Sequence, residues 1–261
     1  MDLPQFFESL DYIKLSILFI TSFMANLLAA VSGGGAGFIQ FPVLIILGLP
    51  FATALGTHKA AVVFLGLGSL AKKHSRYSLD KTICLILLLA GCPGAALGSL
   101  IIVEVPVRIA ELTLGILTIM LAGYTFFKKS YGENAIENIS TKRKIFGTLL
   151  IFLLGLFSGS FSSGTGFFAT FVLTTVLGLK LKDAISYSII FVAAVWNAIG
   201  AVTLGAVTSI QWSWLPVMVI ATSTGAYIGT SLLNKIKVST VRAIIMISAV
   251  ISGVLLISRA L

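Results

Sequence analysis

The stretch VSGGGAGFIQFPVLIILGLP, residues 31–50, interrupts a long apolar run with clustered glycines and a proline. Glycine and proline interrupt regular secondary structure, and each unpaired amide that such a break leaves in hydrocarbon costs several kcal/mol. A membrane protein tolerates irregular chain only where it is buried in protein or lines a wet cavity. The stretch therefore predicts a helix break that serves either binding or close helix packing.

The composition around this stretch is that of an integral membrane protein. The chain has 261 residues, of which 57% are hydrophobic and 10% charged, and its mean hydropathy is +1.07. A soluble domain carries about 25% charged residues. The net charge of +9 is spread over short loops between apolar segments, where it reports membrane orientation rather than nucleic-acid binding. We predict an all-α protein in a lipid bilayer with no nucleic-acid partner.

The glycine-rich stretch has a counterpart in the second half of the chain. SGGGAGFIQFPVLIILGLPFATALGTH, residues 32–58, resembles SSGTGFFATFVLTTVLGLKLKDAISYS, residues 162–188. With one residue inserted, Gly48 aligns with Gly178. We therefore predict two transmembrane repeats, residues 1–127 and 145–261.

Each predicted repeat contains four apolar segments long enough to cross a membrane and one short segment, at 37–48 in the first and 166–178 in the second. A short segment spans only about 20 Å as a helix, less than the roughly 30 Å of the hydrocarbon core. We therefore predict discontinuous crossings, each a short helix completed by irregular chain. A polar linker at 128–144 joins the repeats and is predicted to be cytoplasmic.

The basic residues favour inverted repeats. If the short segments cross, each half has an odd number of crossings, and both termini lie outside. Cytoplasmic loops then hold all of the 18 Lys and Arg residues except Lys14, Lys59, Arg108 and Arg259, as the excess of positive charge inside requires. Re-entrant short segments with parallel halves divide the basic residues less clearly.

The two breaks are candidate anion sites. Transporters built from inverted repeats bind substrates at discontinuous helices, whose N-termini face anionic groups; there the first amides are unpaired and the helix dipole is positive. The candidate substrate-binding residues are Ser32, Gly33, Gly34, Gly35 and Gly37 in the first half, and Ser162, Ser163, Gly164, Thr165 and Gly166 in the second. Close helix packing is the alternative, but the duplication favours a site. By contrast, we interpret the Gly-x-x-x-Gly pairs at 94/98 and 225/229 as packing faces.

A second candidate cluster is GTHKAAV at residues 56–62. An ionisable residue within a span is a functional hypothesis by default: Thr57 and Lys59 are candidate substrate ligands, and His58 is a candidate carrier of a coupling proton. The alternative places His58 and Lys59 at the outer mouth, with the lysine reaching water. The second half supplies Ser188 and Asn197 as candidate hydrogen-bonding residues, although Asn197 is equally suited to bridging helices.

The arrangement G-G-G-x-G-F…P…G-L-P…A-x-G-T, repeated more weakly in the second half, resembles the TauE/SafE sulfite exporter family. The resemblance covers nearly the whole chain and implies transport of sulfite, sulfonates or related sulfur-containing anions across the bacterial inner membrane. Gly-Thr-His-Lys at 56–59 departs from a Gly-Thr-Asn-Lys version of the family, and the second half lacks a proline matching Pro42.

The sequence therefore predicts a secondary transporter of a small sulfur-containing anion, with alternating access to a site between the breaks. A proton or sodium ion is the expected coupling partner, and no metal or cofactor is expected, since Cys84 and Cys92 read as packing residues. A passive anion channel is the first alternative, and an intramembrane enzyme ranks below it. These patterns do not predict the oligomeric state.

Overall fold

A computed structural model describes residues 12–72, 79–101, 106–127, 132–136, 139–161 and 164–261. Within this part of the chain every regular element is a helix, which confirms the predicted all-α class. The helices are α1 (Tyr12–Ser32), α2 (Ala36–Ile46), α3 (Phe51–Lys72), α4 (Lys81–Ile101), α5 (Val107–Phe127), α6 (Thr141–Phe161), α7 (Thr165–Thr175), α8 (Leu181–Val207), α9 (Leu215–Lys235) and α10 (Val238–Ala260). Among the described residues, seven helices are long and apolar enough to cross a membrane.

The two halves repeat the same order of one long helix, one short helix and three long helices. The short helices α2 and α7 have 11 residues each. Each follows a glycine with positive φ, 96° at Gly35 and 78° at Gly164, and each precedes another, 102° at Gly48 and 71° at Gly178. Side chains other than glycine rarely adopt this conformation, so the glycines aligned in the sequence occupy matching turns.

Helix α6 begins at Thr141, within the predicted linker and before residue 145, where the second repeat was predicted to start. Ser140 precedes the helix, and its Oγ lies 3.4 Å from the Arg143 amide nitrogen. A serine at this position accepts from an unpaired amide of the first turn, so the helix extends into the polar segment.

Glycine pairs join the halves, as predicted for the Gly-x-x-x-Gly motifs. Gly94 and Gly98 of α4 lie against the backbone of α6, so that a Cβ at Gly98 would overlap the carbonyl of Leu156. Gly225 and Gly229 of α9 lie in the same way against α1. Small residues allow this close approach in membrane helices. The first helix of each half thus packs on the fourth helix of the other half.

The last helices of the two halves, α5 and α10, pack on each other through Gly115 and Gly253. At the centre, α3 crosses α8, and a Cβ at Gly66 would overlap Ala194. Helix α8 contains a wider π-helical stretch at Ser188–Trp196, a feature that often occurs at functional sites. The glycine breaks before α2 and α7 lie beside this crossing.

Candidate functional site

The two glycine breaks touch each other at the centre of the molecule. A Cβ added to Gly34 would lie 2.7 Å from the Cα of Gly166, and one added to Gly166 would lie 2.7 Å from the Cα of Gly34. Real Cβ atoms do not approach other carbon atoms this closely, so only glycine fits at either position. The breaks therefore meet backbone to backbone, whereas Ser162 and Ser163 lie outside the described residues.

The phenylalanines that follow the two breaks form a reciprocal contact. The rings of Phe38 and Phe167 stack with their centroids 6.0 Å apart and their planes 22° apart. A Cβ on Gly35 would lie 2.7 Å from the Phe167 ring, and one on Gly164 would lie 2.9 Å from the Phe38 ring. Each ring thus covers the glycine that begins the other half's short helix.

Ser188 fastens the breaks together. Its Oγ lies 2.8 Å from the Gly33 carbonyl oxygen and 3.1 Å from that of Gly166. Buried carbonyls require such partners, and here one hydroxyl serves both breaks. The structure therefore uses Ser188, a candidate substrate ligand, to position the backbone.

A small cavity lies between the breaks, α3 and α8. Its volume is about 20 Å³, roughly the space for one water molecule. The predicted site residues that line it are Gly33, Gly34, Gly35, Gly37, His58, Thr165, Gly166, Ser188 and Asn197. Residues of the first turns of α2 and α7 are among them. The amide groups at these helix N-termini, which have no intrahelical acceptor, therefore face the cavity.

His58 connects the cavity to a buried chain of hydrogen bonds. The side chain is 1% exposed, and its Nδ1 lies 2.9 Å from Gln40 Oε1. Gln40 Nε2 donates to Ser22 Oγ at 2.8 Å. His58 Nε2 makes no hydrogen bond within the described part of the chain. The imidazole thus lines the cavity while Gln40 holds its Nδ1 through a hydrogen bond.

Gln40 and Ser22 were not among the sequence-based candidates. Gln40 is a polar side chain in the otherwise apolar helix α2, and it is 1% exposed. A buried polar residue in an apolar span carries functional weight, so this signal was present in the sequence. Its partner was not visible there, because the contact depends on how α2 packs against α1 and α3.

Lys59 is fully buried, at 0% exposure, so it does not extend to water as the alternative required. Its Nζ donates to the carbonyl of Ser158 at 2.5 Å, in the last turn of α6. A Cβ at Gly200 would lie 2.9 Å from Lys59 Cδ, so the missing side chain of Gly200 makes room for the lysine. Lys59 has no ion-pair partner in the described residues.

This buried cation lies next in sequence to a residue that lines the cavity. The negative end of the α6 dipole offsets part of its charge, but burying a charge without an ion pair remains expensive. An anion that enters between the breaks would lower this cost. A protonated Lys59 would give the region a positive potential although the residue does not line the cavity itself.

The hydroxyls of Thr57 and Ser32 are used inside the protein. Thr57 Oγ1 donates to the Thr53 carbonyl at 2.7 Å and accepts from the Gln211 amide at 2.9 Å. Ser32 Oγ lies 2.8 Å from the Leu28 carbonyl oxygen and also contacts the break. Neither residue lines the cavity.

Two other candidate hydrogen-bonding residues do line the cavity. Asn197 donates from Nδ2 to the Val192 carbonyl at 3.0 Å, across the π-helical stretch of α8. Thr165 is buried at the first position of α7. Both residues are among those that line the cavity between the breaks.

Comparisons with known proteins agree with this architecture. The family model described as "Sulfite exporter TauE/SafE" matches residues 18–256. A probable membrane transporter protein of Haemophilus influenzae is 31% identical over 67% of this chain and 68% of its own length. The probable membrane transporter proteins YdhB of Bacillus subtilis and YfcA of Escherichia coli are 24% and 23% identical over 92% and 93% of this chain, covering 99% and 89% of their own lengths. No solved structure matches the chain significantly.

The family match extends over both glycine breaks and the helices around them, and the relatives are membrane transporters of bacteria. The chain therefore belongs to the TauE/SafE sulfite exporter family and is a multi-pass bacterial membrane transporter.

Proposed function

We propose that the protein is a secondary transporter that carries small sulfur-containing anions, such as sulfite or an organosulfonate, across the bacterial inner membrane. The family description names sulfite export. The observation that carries the proposal is Lys59, a fully buried cation without an ion pair in the described residues. A cavity faced by helix N-termini, with a buried lysine next in sequence to one of its lining residues, favours an anion.

The transport cycle requires the two breaks to separate. A cavity of about 20 Å³ holds about one water molecule and is too small for an oxyanion of several heavy atoms. The contacts that join the breaks are the Ser188 hydroxyl and the Phe38–Phe167 stack. In the proposed cycle these contacts give way on alternate sides, which exposes the cavity first to one side of the membrane and then to the other.

We assign the two halves opposite orientations in the membrane, with both termini outside. The distribution of basic residues supports this assignment, and the matching glycine turns at Gly35 and Gly164 support the repeat on which it depends. Inverted repeats with a site at their interface are the usual frame for alternating access. The same frame places α2 and α7 as discontinuous crossings that meet near the bilayer centre.

His58 is assigned the coupling proton. It is the titratable side chain that lines the cavity, and an imidazole gains a positive charge when its second ring nitrogen takes up a proton. A proton on Nε2 would add positive charge when an anion arrives, so proton and anion would move together.

Lys59→Met removes the buried charge and retains an unbranched side chain. For the purified protein we expect sulfite and taurine affinity to fall by about tenfold, which is about 1.4 kcal/mol, because the variant loses the buried positive charge that attracts the anion. Lys182→Met is the matched control, because Lys182 also donates to a backbone carbonyl, that of Ile236 at 2.6 Å, away from the cavity. Calorimetric titration with sulfite, thiosulfate, taurine and sulfoacetate measures both variants. Equal affinity in the two variants would refute the role of Lys59.

Flux into liposomes distinguishes a carrier from a passive channel of the same architecture. We expect the wild-type protein to accumulate anion against its gradient when a proton or sodium gradient is imposed. Flux that only dissipates the anion gradient would show a channel and would overturn the secondary-transport proposal.

A further inference from the structure

A large apolar groove lies between α5, α6 and α7, separate from the central cavity. Its volume is about 500 Å³. Aromatic side chains form much of its wall, among them Tyr124, Phe157 and Phe171, and the rings of Tyr124 and Phe171 meet edge to face with centroids 5.0 Å apart. Because its wall is apolar, the groove offers a surface against which an acyl chain can be buried.

The groove lies at the depth of lipid acyl chains. Leu150 and Phe157 of α6 bound it along that helix. They lie about 10 and 21 Å along the axis from Arg143 at 1.5 Å per residue. One leaflet of the hydrocarbon core is about 15 Å thick. If Arg143 lies at the membrane surface, the groove begins within the same leaflet.

Two basic residues, Lys142 and Arg143, lie near one end of the groove. Arg143 lies two helical turns before Leu150, on the same face of α6. It donates from one nitrogen to the Thr175 carbonyl at 2.5 Å, which joins α6 to the C-terminal end of α7 and leaves other guanidinium donors available. Lys142 is exposed and forms no ion pair within the described residues. Positive charge at this helix N-terminus opposes the helix dipole, so helix stability does not account for it.

We propose that this groove is a binding site for one anionic phospholipid. Its acyl chain would lie in the groove between α5, α6 and α7, and its phosphate would lie at Lys142 and Arg143. Basic pockets between transmembrane helices bind anionic head groups, and a phospholipid joins such a group to an apolar chain. A second copy of the protein fits less well, because a parallel two-fold contact would bring the two basic ends together. The lipid would contact α7 and so support the helix that carries the second break.

The test measures thermal unfolding of the detergent-solubilised full chain during titration with phosphatidylglycerol or phosphatidylcholine. We expect phosphatidylglycerol to raise the unfolding midpoint at lower concentration, because a ligand that binds only the native state stabilises it. Native mass spectrometry should detect one retained phosphatidylglycerol. Lys142→Gln should weaken its apparent affinity about fivefold, the effect of about one basic residue at an anionic lipid surface. Equal stabilisation by both lipids would overturn the proposal.

Steric variants locate the lipid. Leu154→Trp fills the groove and should abolish the difference between the two lipids, whereas Leu149→Trp, on the exposed side of the same helix, should preserve it. If Leu154→Trp fails to fold, Met120→Trp narrows the groove from α5 at a residue that is 64% exposed. The proposal fails if the groove variants bind phosphatidylglycerol as the control does. It also fails if they change the oligomeric mass instead, which would identify a contact between copies.

Discussion

Where the two halves of the molecule meet at the centre, their backbones have similar conformations but their flanking helices carry different side chains. Gly34 and Gly166 touch each other, and the phenylalanines after the breaks stack on each other. The long helices that flank the breaks differ, however. Helix α3 carries His58 and Lys59, whereas α8 carries Ser188 and Ile189 at the aligned positions. The duplicated parts form the contact between the halves, and the residues that are not duplicated supply the charge.

This difference separates positions that hold the fold from positions that recognise an ion. Phe38 and Phe167 align with each other and also contact each other, so this pair must stay matched in both halves. A charge is needed once, because a single anion lies between the halves in the proposed cycle and a second buried lysine would add another desolvation cost. The hydroxyl of Ser188 is likewise needed only once, since it lies within hydrogen-bond distance of a carbonyl from each break.

The largest expected effect comes from the shared glycines. Gly34→Ala and Gly166→Ala each place a methyl group within 2.7 Å of the opposite break, and overpacking of this kind costs up to about 3 kcal/mol. We expect both variants to lower the free energy of unfolding by similar amounts, measured by denaturant titration in detergent micelles. Gly123→Ala is the control, because a Cβ there meets no atom within 4 Å.

A large loss in only one of the two variants would show that the two sides of this contact are not equally rigid. It would mean that the opposite break relaxes to accept a methyl group. The control should be neutral or slightly stabilising, since alanine is the better helix former.

The next effect distinguishes the charged half from the hydroxyl half. His58→Asn retains a hydrogen-bonding amide and removes the titratable ring. We expect anion uptake by the wild-type protein in liposomes to rise as external pH is lowered, and uptake by this variant to be independent of pH. An alkanesulfonate is the appropriate probe, because its sulfonate group keeps its charge as the pH falls. A variant that retains the pH dependence would exclude His58 as the proton carrier.

Ser188→Ala, at the position aligned with His58, should lower the stability of the protein without changing the pH dependence of uptake. Loss of the hydroxyl leaves two buried carbonyls with poorer partners, which costs about 1–3 kcal/mol of stability. We expect a lower unfolding midpoint with the pH dependence of uptake unchanged. A flat pH profile in Ser188→Ala would instead place proton coupling in both halves.

The sequence was sufficient to predict the helices and the paired breaks. Hydropathy marks the long spans, and glycine at aligned positions such as Gly48 and Gly178 requires matching turns, because both adopt positive φ. These features are local, so a single sequence reveals them. The contact between the breaks is not local, and only the aligned duplication indicated it.

The uses of individual polar side chains were harder to predict. Thr57 and Ser32 each bond to a carbonyl four residues earlier, as serine and threonine in helices often do, so the sequence alone overstates how many hydroxyls are available to a ligand. Lys59 reaches Ser158, 99 positions away, and no sequence pattern indicates that contact. His58 and Gln40 likewise meet only through the packing of α2 on α3.

The smallest expected effect tests the phenylalanine pair. Phe38→Leu and Phe167→Leu each remove one ring of the stack, and an aromatic pair contributes about 0.5–1.5 kcal/mol beyond the area that it buries. We expect a similar, small loss of unfolding free energy in each single variant. The double variant should lose less than the sum of the two, because the stack is already absent after the first substitution. Additive losses would mean that each ring acts on the glycine it covers, Gly35 or Gly164, rather than on its partner ring. In that case the symmetry of the centre would reside in the backbone alone.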